Sequence, residues 1–469
     1  MTKRREFIKK SVLGSAGIAV GATGFSAKSY NSIAGSNERI NLAVIGIRNQ
    51  GSVHIDSWCS LAKSHNVFLK TLCDTDEQLF GSRIKMVMDK AGHKPVTEWD
   101  LRKVLDDKEI HAVSLAVPNH WHALATIWAC QAGKHVYVEK PASHNIREGR
   151  KMVEAARKTG LMVQCGLNNR SSSNVREAIK FLHDGGIGEL FMARALCFKA
   201  RDSYGMARDS KPPAGFHYDM WLGPAPWRPY NVKRSHYVWH WYWDTGNGDT
   251  GNTGPHMLDI ARWGLNKNEH PVSVYSTGGI YGLNRDETRP ENRTKGVMVY
   301  GDVEAYGRDK TTQETPNTQT CAYKYADGTL LEFECRGRYT NHEGSDGSEV
   351  TNVFYGTEGW LQIMGDTWKA FRGRERTPFA GSKPVTETSP APNYANFIDA
   401  IRADNIDVLN CEIYEGFLSS TLPHLANISY RVGRSLRFIG ESEKFADDSE
   451  ADALLTRIYR VPYVVPDTV

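Results

Sequence analysis

Ile40-Asn41-Leu42-Ala43-Val44-Ile45 is an apolar run that stops at a glycine, Gly46. Gly46-Ile47-Arg48-Asn49-Gln50-Gly51 follows, and an amphipathic stretch runs from Val53 to Ala62. The order is strand, turn, helix. A strand that feeds a helix through a tight turn needs a parallel strand beside it, joined by that helix as a crossover. The turn is close to G-x-G-x-x-G, where glycines let the backbone approach a pyrophosphate at a helix N-terminus. Arg48 stands in place of the second glycine. A guanidinium there can contact phosphate directly.

Val67 to Cys73 predicts the second strand, which ends at Asp74. Asp74 lies 23 residues after Gly51, near the ~20 at which a carboxylate binds the adenosine ribose. A carboxylate suits two free hydroxyls and repels a 2′-phosphate, so NAD is expected over NADP; Arg48 keeps NADP open. Helices are predicted at Phe80 to Ala91 and Leu101 to Leu105, and a buried strand at Ala112 to Val117 that ends in Pro118-Asn119-His120-Trp121-His122. A helix from Ala123 to Ala132 leads to the strand His135 to Val138, which stops at Glu139-Lys140-Pro141. Glu148 to Lys158 and Met162 to Cys165 complete the alternation. Such strands point their carboxyl ends at one crevice, where ligands bind. His120 and His122 alternate on a strand end with no third ligand nearby, so no metal is expected.

At 469 residues the chain is long enough for two domains. After Gly166 the pattern changes. A helix at Val175 to His183 is followed by a strand at Phe191 to Lys199. Strands then recur at Pro271 to Thr277, Thr318 to Tyr325, Leu330 to Arg338, Ser348 to Tyr355 and Gly359 to Ile363. Helices are expected at Ala395 to Arg402 and Glu412 to Gly433, and the tail beyond Phe438 should wrap a surface or a neighbour. The fold class is therefore α/β: a Rossmann domain over 38–165, then an α+β domain over 166–469 with an open, mostly antiparallel sheet. In that domain Trp221 to Trp227 and Ser235 to Trp243 concentrate aromatic residues among polar ones. Aromatic faces stack on the C–H faces of sugar rings while His and Arg bind hydroxyls, which points to a sugar pocket. The second run is not expected to be helical. Gly248 to Asp259 reads as a glycine-rich loop that delivers His256 to a helix from Ile260 to Leu265.

The net charge of +4 is concentrated at one end. Residues 1–36 carry six Lys and Arg against Glu6, a net of +5, so the remainder carries −1. That body lacks the basic surface nucleic-acid binding needs. Lys3-Arg4-Arg5-Glu6-Phe7-Ile8-Lys9 resembles the twin-arginine export motif, and Val12 to Phe25 is too short and mild to span a bilayer stably. The expectation is a leader over 1–36 and a periplasmic protein exported already folded, with its cofactor. Eight scattered Cys, with no C-x-x-C spacing, look mostly like small core residues.

The order of glycine turn, Asp74, Asn119-His120-Trp121-His122 and Glu139-Lys140-Pro141 resembles the Gfo/Idh/MocA family of oxidoreductases from about Ile40 to the C-terminus. The resemblance implies that Lys140 sits beside the nicotinamide and the substrate's reacting hydroxyl, that Glu139 approaches the nicotinamide ribose, and that the Lys140–Pro141 bond is cis. The family pattern D-x-G-x-H is matched by Asn252-Thr253-Gly254-Pro255-His256, with the His retained and the Asp replaced. That makes His256 the proton acceptor, working alone or assisted by Asp249 or Asp259. Lys140 and His256 are thus the catalytic candidates. The cofactor candidates are Gly46, Arg48, Asn49, Gly51, Asp74, Pro118, Asn119, His122, Glu139 and Asn168; those for substrate are Asn252, Asp259, Trp239, His240 and Tyr242. The implied activity is NAD(P)-dependent oxidation or reduction of a sugar or sugar-derivative hydroxyl by a homo-oligomer. An NAD-dependent glycosidase, working by transient oxidation and elimination, and a non-catalytic NAD-binding sensor are the alternatives.

Overall fold

The computed structural model describes residues 39–201, 203–282, 284–285, 310–337, 348–374, 377–383 and 391–469. The leader expected over 1–36 lies outside them.

Six parallel strands form the first sheet: β1 (Ile40–Ile45), β2 (Val67–Cys73), β3 (Val96–Glu98), β4 (Ala112–Leu115), β5 (His135–Val138) and β6 (Val163–Cys165). Their order is β3-β2-β1-β4-β5-β6, so the chain reverses direction across the sheet between β1 and β4. Five helices connect them: α1 (Asn49–Ser60), α2 (Phe80–Ala91), α3 (Leu101–Asp106), α4 (Asn119–Gln131) and α5 (Ile146–Thr159). Ile45 pairs with Cys73 and Leu115, Leu115 with Val138, and Val138 with Cys165. This register ends the central strands at one level, so Gly46, Asp74, Glu139 and Gly166 follow them along one edge. Strands buried on both faces need the near-continuous apolar sequence seen here.

Two stretches turn helical earlier than the sequence suggested. Gly248 to Asp259, expected as a glycine-rich loop before a helix from Ile260, is helical over Gly248–Asn252 and again from Gly254, so His256 lies within a helix and not at the end of a loop. α4 begins at Asn119, with Pro118 as its N-cap residue, so Asn119 to His122 form a helical first turn and not a strand end. Successive side chains on a helix point about 100° apart. His120 and His122 therefore reach different backbone carbonyls. No group of three or more His, Cys, Asp or Glu able to hold a metal ion occurs among the described residues.

The second domain opens with α6 (Ser173–His183) and β7 (Leu190–Cys197), and short α7 (Tyr218–Leu222) and α8 (Gly248–Asn252) lead to α9 (Gly254–Gly264). β8 (Ser273–Gly279) joins β7 in a ten-stranded sheet, while β9 (Asn284–Arg285) and β10 (Lys310–Thr311) pair separately. The other strands of the large sheet are β11 (Thr318–Lys324), β12 (Leu330–Arg336), β13 (Val350–Gly356), β14 (Gly359–Met364), β15 (Thr367–Phe371), β16 (Pro378–Gly381), β17 (Leu436–Ile439) and β18 (Lys444–Phe445). Its order is β16-β15-β14-β13-β7-β12-β11-β8-β17-β18. β7 and β12 run parallel and the remaining neighbours antiparallel. β11 and β12 alternate buried and more exposed residues, as a sheet covered on one face requires. Between α10 (Pro392–Ala403) and β17 comes α11 (Ile413–Val432), a 20-residue helix buried almost throughout its length. It packs on α5, α9 and β8, joining the two domains in one apolar core.

The aromatic run expected to be non-helical is a 3₁₀ helix over His236–Trp241. Burial of Trp241 and its stacking on Tyr204, 4.0 Å between ring centres, fix that tight turn. The C-terminal tail wraps its own chain: Arg457 pairs with buried Glu148 at 3.0 Å, and Tyr463 meets Trp121 edge-on at 5.4 Å. All eight Cys are buried free thiols. No helix among the described residues is long and apolar enough to cross a membrane.

Candidate active site

A cleft of about 390 Å³ follows the carboxyl edge of the parallel sheet and is walled on its other side by the second domain. At its floor Gly46 adopts φ +82°, and a Cβ there would lie 2.5 Å from the Ala116 carbonyl oxygen. Only glycine allows the turn to press against β4 at the reversal point. Gly51 serves packing instead: its Cβ would lie 1.9 Å from the Gly46 carbonyl oxygen. Asp74 secures the turn, since its carboxylate accepts from the backbone N–H of Ile47 at 2.8 Å and of Asp76 at 2.9 Å. Burial raises its pKa to about 6, with repulsion from Asp76 in the same direction; the two N–H donors and Arg48 oppose this. Behind the turn Arg83 Nε donates to the Ile47 carbonyl at 2.7 Å. The Arg48 guanidinium is partly exposed and lies 3.8 Å from Asp76.

At the other end Glu139 is held from three sides. Its Oε1 accepts from Gln50 Nε2 at 3.0 Å and lies 3.0 Å from His54 Nε2, while Oε2 accepts from the Lys140 backbone N–H at 3.1 Å. Burial alone would push its pKa up, but the His54 contact and the charges of His54, Lys140 and His256 hold it at about 2. His54 Nδ1 also lies 2.8 Å from Ser114 Oγ. The carboxylate is therefore ionised and fixed. The Lys140–Pro141 bond is cis, as the resemblance implied. Lys140 Nζ donates to the Asn252 carbonyl at 2.9 Å and to its side-chain Oδ1 at 3.3 Å. Burial lowers its pKa; Glu139 opposes this, and Lys199 and Arg201 add to it.

His256, in the first turn of α9, lines the same end of the cleft. Its Nδ1 is buried without a hydrogen-bond partner among the described residues. Asp249 and Asp259, the proposed helpers, do not reach it. Asp249 is paired with Arg201 at 2.6 Å, and Asp259 with Arg170 at 2.8 Å. Burial, reinforced by the Lys140 charge, lowers the His256 pKa to about 3, so the ring is neutral near pH 7.

The second domain covers the cleft with aromatic residues. His217 stacks on Trp99 at 3.9 Å, and its backbone N–H donates to the Thr75 carbonyl at 2.8 Å. Glu77 N–H returns a bond to Gly215 at 2.9 Å, so the segment before α7 straps onto the edge beside Asp74. Near Lys140, Trp239 stacks on His240 at 3.6 Å, and both line the cleft.

Gly46, Arg48, Asn49, Asp74, Pro118, Asn119, His122, Glu139, Lys140, Trp239, His240, Asn252 and His256 all line this one cleft. Four candidates do not. Gly51 lies in the first turn of α1, buried against Gly46 by the packing just described. Asn168 is exposed, opening a 3₁₀ turn over Asn168–Ser171. Tyr242 is buried and its hydroxyl bonds Thr312 Oγ1. Asp259 is 1% exposed and neutralised by Arg170. His122 lines the cleft while its ring nitrogens sit against the Pro141 carbonyl at 2.6 Å and the Val117 carbonyl at 2.9 Å, so it also braces the Lys140 backbone. Sequence reasoning missed Gln50, His54, Arg83, Lys199 and Arg201. The one available signal was a histidine, His54, on the buried face of α1.

The turn without a Cβ, the helix N-terminus behind it, the carboxylate at the end of β2 and the anchored Glu139 fit a dinucleotide laid along the sheet edge. They define a class: a nicotinamide-dependent oxidoreductase with its reacting groups where the two domains meet. The chain belongs to the Gfo/Idh/MocA oxidoreductase family. Residues 40–167 match its NAD-binding Rossmann fold, and residues 203–279 and 299–465 match its C-terminal alpha/beta domain. NAD is the cofactor of that Rossmann domain. Levoglucosan dehydrogenase of Pseudarthrobacter phenanthrenivorans is 25% identical over 292 residues, 60% of this chain and 65% of that protein. Glycosyl hydrolase family 109 protein 1 of a Shewanella species is 25% identical over 167 residues, 35% of this chain and 36% of that one. The chain thus spans less than two thirds of the length of either relative. A levoglucosan dehydrogenase solved in complex with NADH and levoglucosan shares the fold, with a TM-score of 0.62 at 17% identity over 85% of this chain and 99% of that one.

Proposed function

We propose that the protein is an exported NAD-dependent dehydrogenase of a sugar or sugar-derivative hydroxyl. The observation that carries this is the convergence of Lys140 and His256 on the cleft end where Glu139 is anchored. Bound NAD supplies the hydride acceptor. Gly46, Asn49 and the N-terminus of α1 would face its pyrophosphate, Asp74 the adenosine ribose and Glu139 the nicotinamide ribose. Lys140 has three N–H donors and gives two to Asn252, leaving one for the substrate oxygen. Neutral His256 takes the hydroxyl proton through Nε2. Trp239 and His240 offer a stacked face to the sugar ring.

Single-turnover absorbance at the reduced-nicotinamide band tests the reading. NADH and a keto-sugar should appear together when sugars are added to the NAD-loaded protein. The glycosidase alternative is favoured by the Shewanella relative. It requires release of a reducing sugar with little net NADH and solvent deuterium beside the oxidised carbon; that pattern would displace the dehydrogenase reading. A sensor would show neither.

Export is part of the proposal and rests on Arg4 and Arg5. An exported enzyme meets no ready supply of free NAD, so the cofactor must be retained; the strap from Gly215 to His217 over the Asp74 edge supports this. Replacing both arginines by Lys should strand the precursor in the cytoplasm, and normal periplasmic recovery would refute the route. We also propose a homo-oligomer joined through the uncovered face of the large sheet, where Phe191, Tyr275 and Leu330 are exposed. Sedimentation of a monomer would exclude it.

A further inference from the structure

β7 ends at Cys197, and the chain continues with Phe198 N–H bonded to the Glu349 carbonyl at 2.7 Å and Arg201 N–H to the Gly337 carbonyl at 2.7 Å. Lys199 and Arg201 both line the cleft from this segment. The Arg201 charge is already paired, with Asp249. Its Nε donates to Asp249 Oδ1 at 2.6 Å and its Nη1 to Tyr237 Oη at 3.1 Å, and the guanidinium lies 5.0 Å over the Trp241 ring. Lys199 differs: its ammonium has no hydrogen-bond or ion-pair partner among the described residues. The two carboxylates that line the cleft are tied elsewhere, Asp74 to the glycine turn and Glu139 to Gln50 and His54.

A second cavity shows what a self-neutralised set looks like. There Arg228 pairs with Asp244 at 2.5 Å and with Glu314 at 3.3 Å, and Arg234 lies 3.7 Å from Asp209. No such counter-charge pairs with Lys199 among the described residues. The Lys199 charge bears on Lys140 and His256, adding a smaller contribution to the lowering of both pKa values that burial causes first. Lys199 and Lys140 are like charges on one cleft lining, so each disfavours the other's charge. A neutral sugar would leave Lys199 uncompensated.

We infer that the sugar oxidised in this cleft carries an anionic substituent, a carboxylate or a sulfate, held by Lys199. This deepens the sugar-dehydrogenase reading and rests on it. The anion supplies a counter-charge to an ammonium that is only partly exposed, and a charge-assisted hydrogen bond exceeds a neutral one. It also orients the ring, since Lys199 fixes one end while Lys140 and His256 engage the reacting hydroxyl.

The test is kcat/KM with NAD for matched probes: D-glucuronate against D-glucose, D-galacturonate against D-galactose, and D-glucose 6-sulfate. The wild-type protein should prefer an acidic member of a pair at least ~10-fold, and Lys199→Met should cut the acidic-to-neutral ratio roughly 10- to 100-fold, the range for a hydrogen bond to a charged group. Lys199→Arg should restore most of the ratio. The glucuronate and 6-sulfate arms tell carboxylate from sulfate. A wild-type preference for the neutral sugars, or a ratio untouched by Lys199→Met, would overturn the inference and leave the dehydrogenase reading in place. No NAD reduction by any probe would remove that reading, and this inference with it.

Discussion

Lys140→Met is expected to keep NAD bound and to lose sugar-dependent NAD reduction by roughly 10²–10⁴-fold, the usual contribution of a positioned proton-transfer group. Cofactor binding survives because Glu139 is anchored by Gln50 and His54, and the glycine turn by Asp74 and Arg83; none of these contacts uses the Lys140 side chain. Methionine keeps the length of the stem and removes only the ammonium. His256→Ala should cost a similar factor and recover partly at high pH, where solvent base replaces the ring. The sign of the pH dependence follows from the same geometry. Buried beside Lys140, His256 binds a proton only near pH 3, so it remains a base well below the ordinary histidine range. Wild-type kcat/KM should therefore show no loss attributable to His256 between pH 8 and about pH 5. Burial also lowers the Lys140 pKa. The alkaline decline from its deprotonation should begin below the range of a free lysine. A histidine-like loss centred near pH 6.5 that disappears in His256→Ala would show that the ring is not held neutral. Full activity in both variants would discard the site assignment.

The Rossmann half was legible because its local signals agree. A buried strand, a glycine turn and an amphipathic helix recur with spacing that leaves one topology. Glu139, Lys140 and Asp74 were legible for the same reason: each ends a strand, and strand ends in such a sheet face the ligand. Misreadings came where packing decides. Asn119 to His122 look like the continuation of β4, but Pro118 starts a helix there and turns His120 away from His122. Aromatic residues from His236 to Trp241 have no helical periodicity, and the buried Trp241 anchor closes them into a 3₁₀ helix. Lys199 and Arg201 carry no local signal at all. They follow a strand of the second domain, and only the packing of that domain against the first brings them into the cleft that Lys140 lines. Arg83 was hidden likewise, since it acts through a backbone carbonyl of a turn 36 positions away.

Asp259 offers the sharpest test of such a misreading, because neighbourhood with His256 suggested a substrate ligand. Three residues farther along α9, its side chain faces α11 and the turn after β6 instead. Both of its oxygens accept from Arg170, at 2.8–3.0 Å, and Oδ1 also accepts from Ser419 Oγ at 2.6 Å. Arg170 continues to Glu415 at 3.0 Å and lies 5.0 Å over the Trp263 ring, while Arg262 bonds Ser419 at 3.0 Å and pairs with Glu415. These residues come from the turn after β6, from α9 and from α11, so the network fixes α9, and with it His256, against α11 and that turn. Removing one partner of a buried pair strands the other charge without water, at a cost of about 3–5 kcal/mol. Asp259→Ala should therefore lower the thermal midpoint by roughly 10 °C, taking about 2–4 °C for each kcal/mol in domains of this size. Asp259→Asn, which keeps the shape and some hydrogen bonds, should lose less. A substrate ligand would behave in the opposite way, with KM raised and the melting profile unchanged. Calorimetry and initial rates on the same preparations separate the two. Unaltered melting of Asp259→Ala would return this carboxylate to the substrate site.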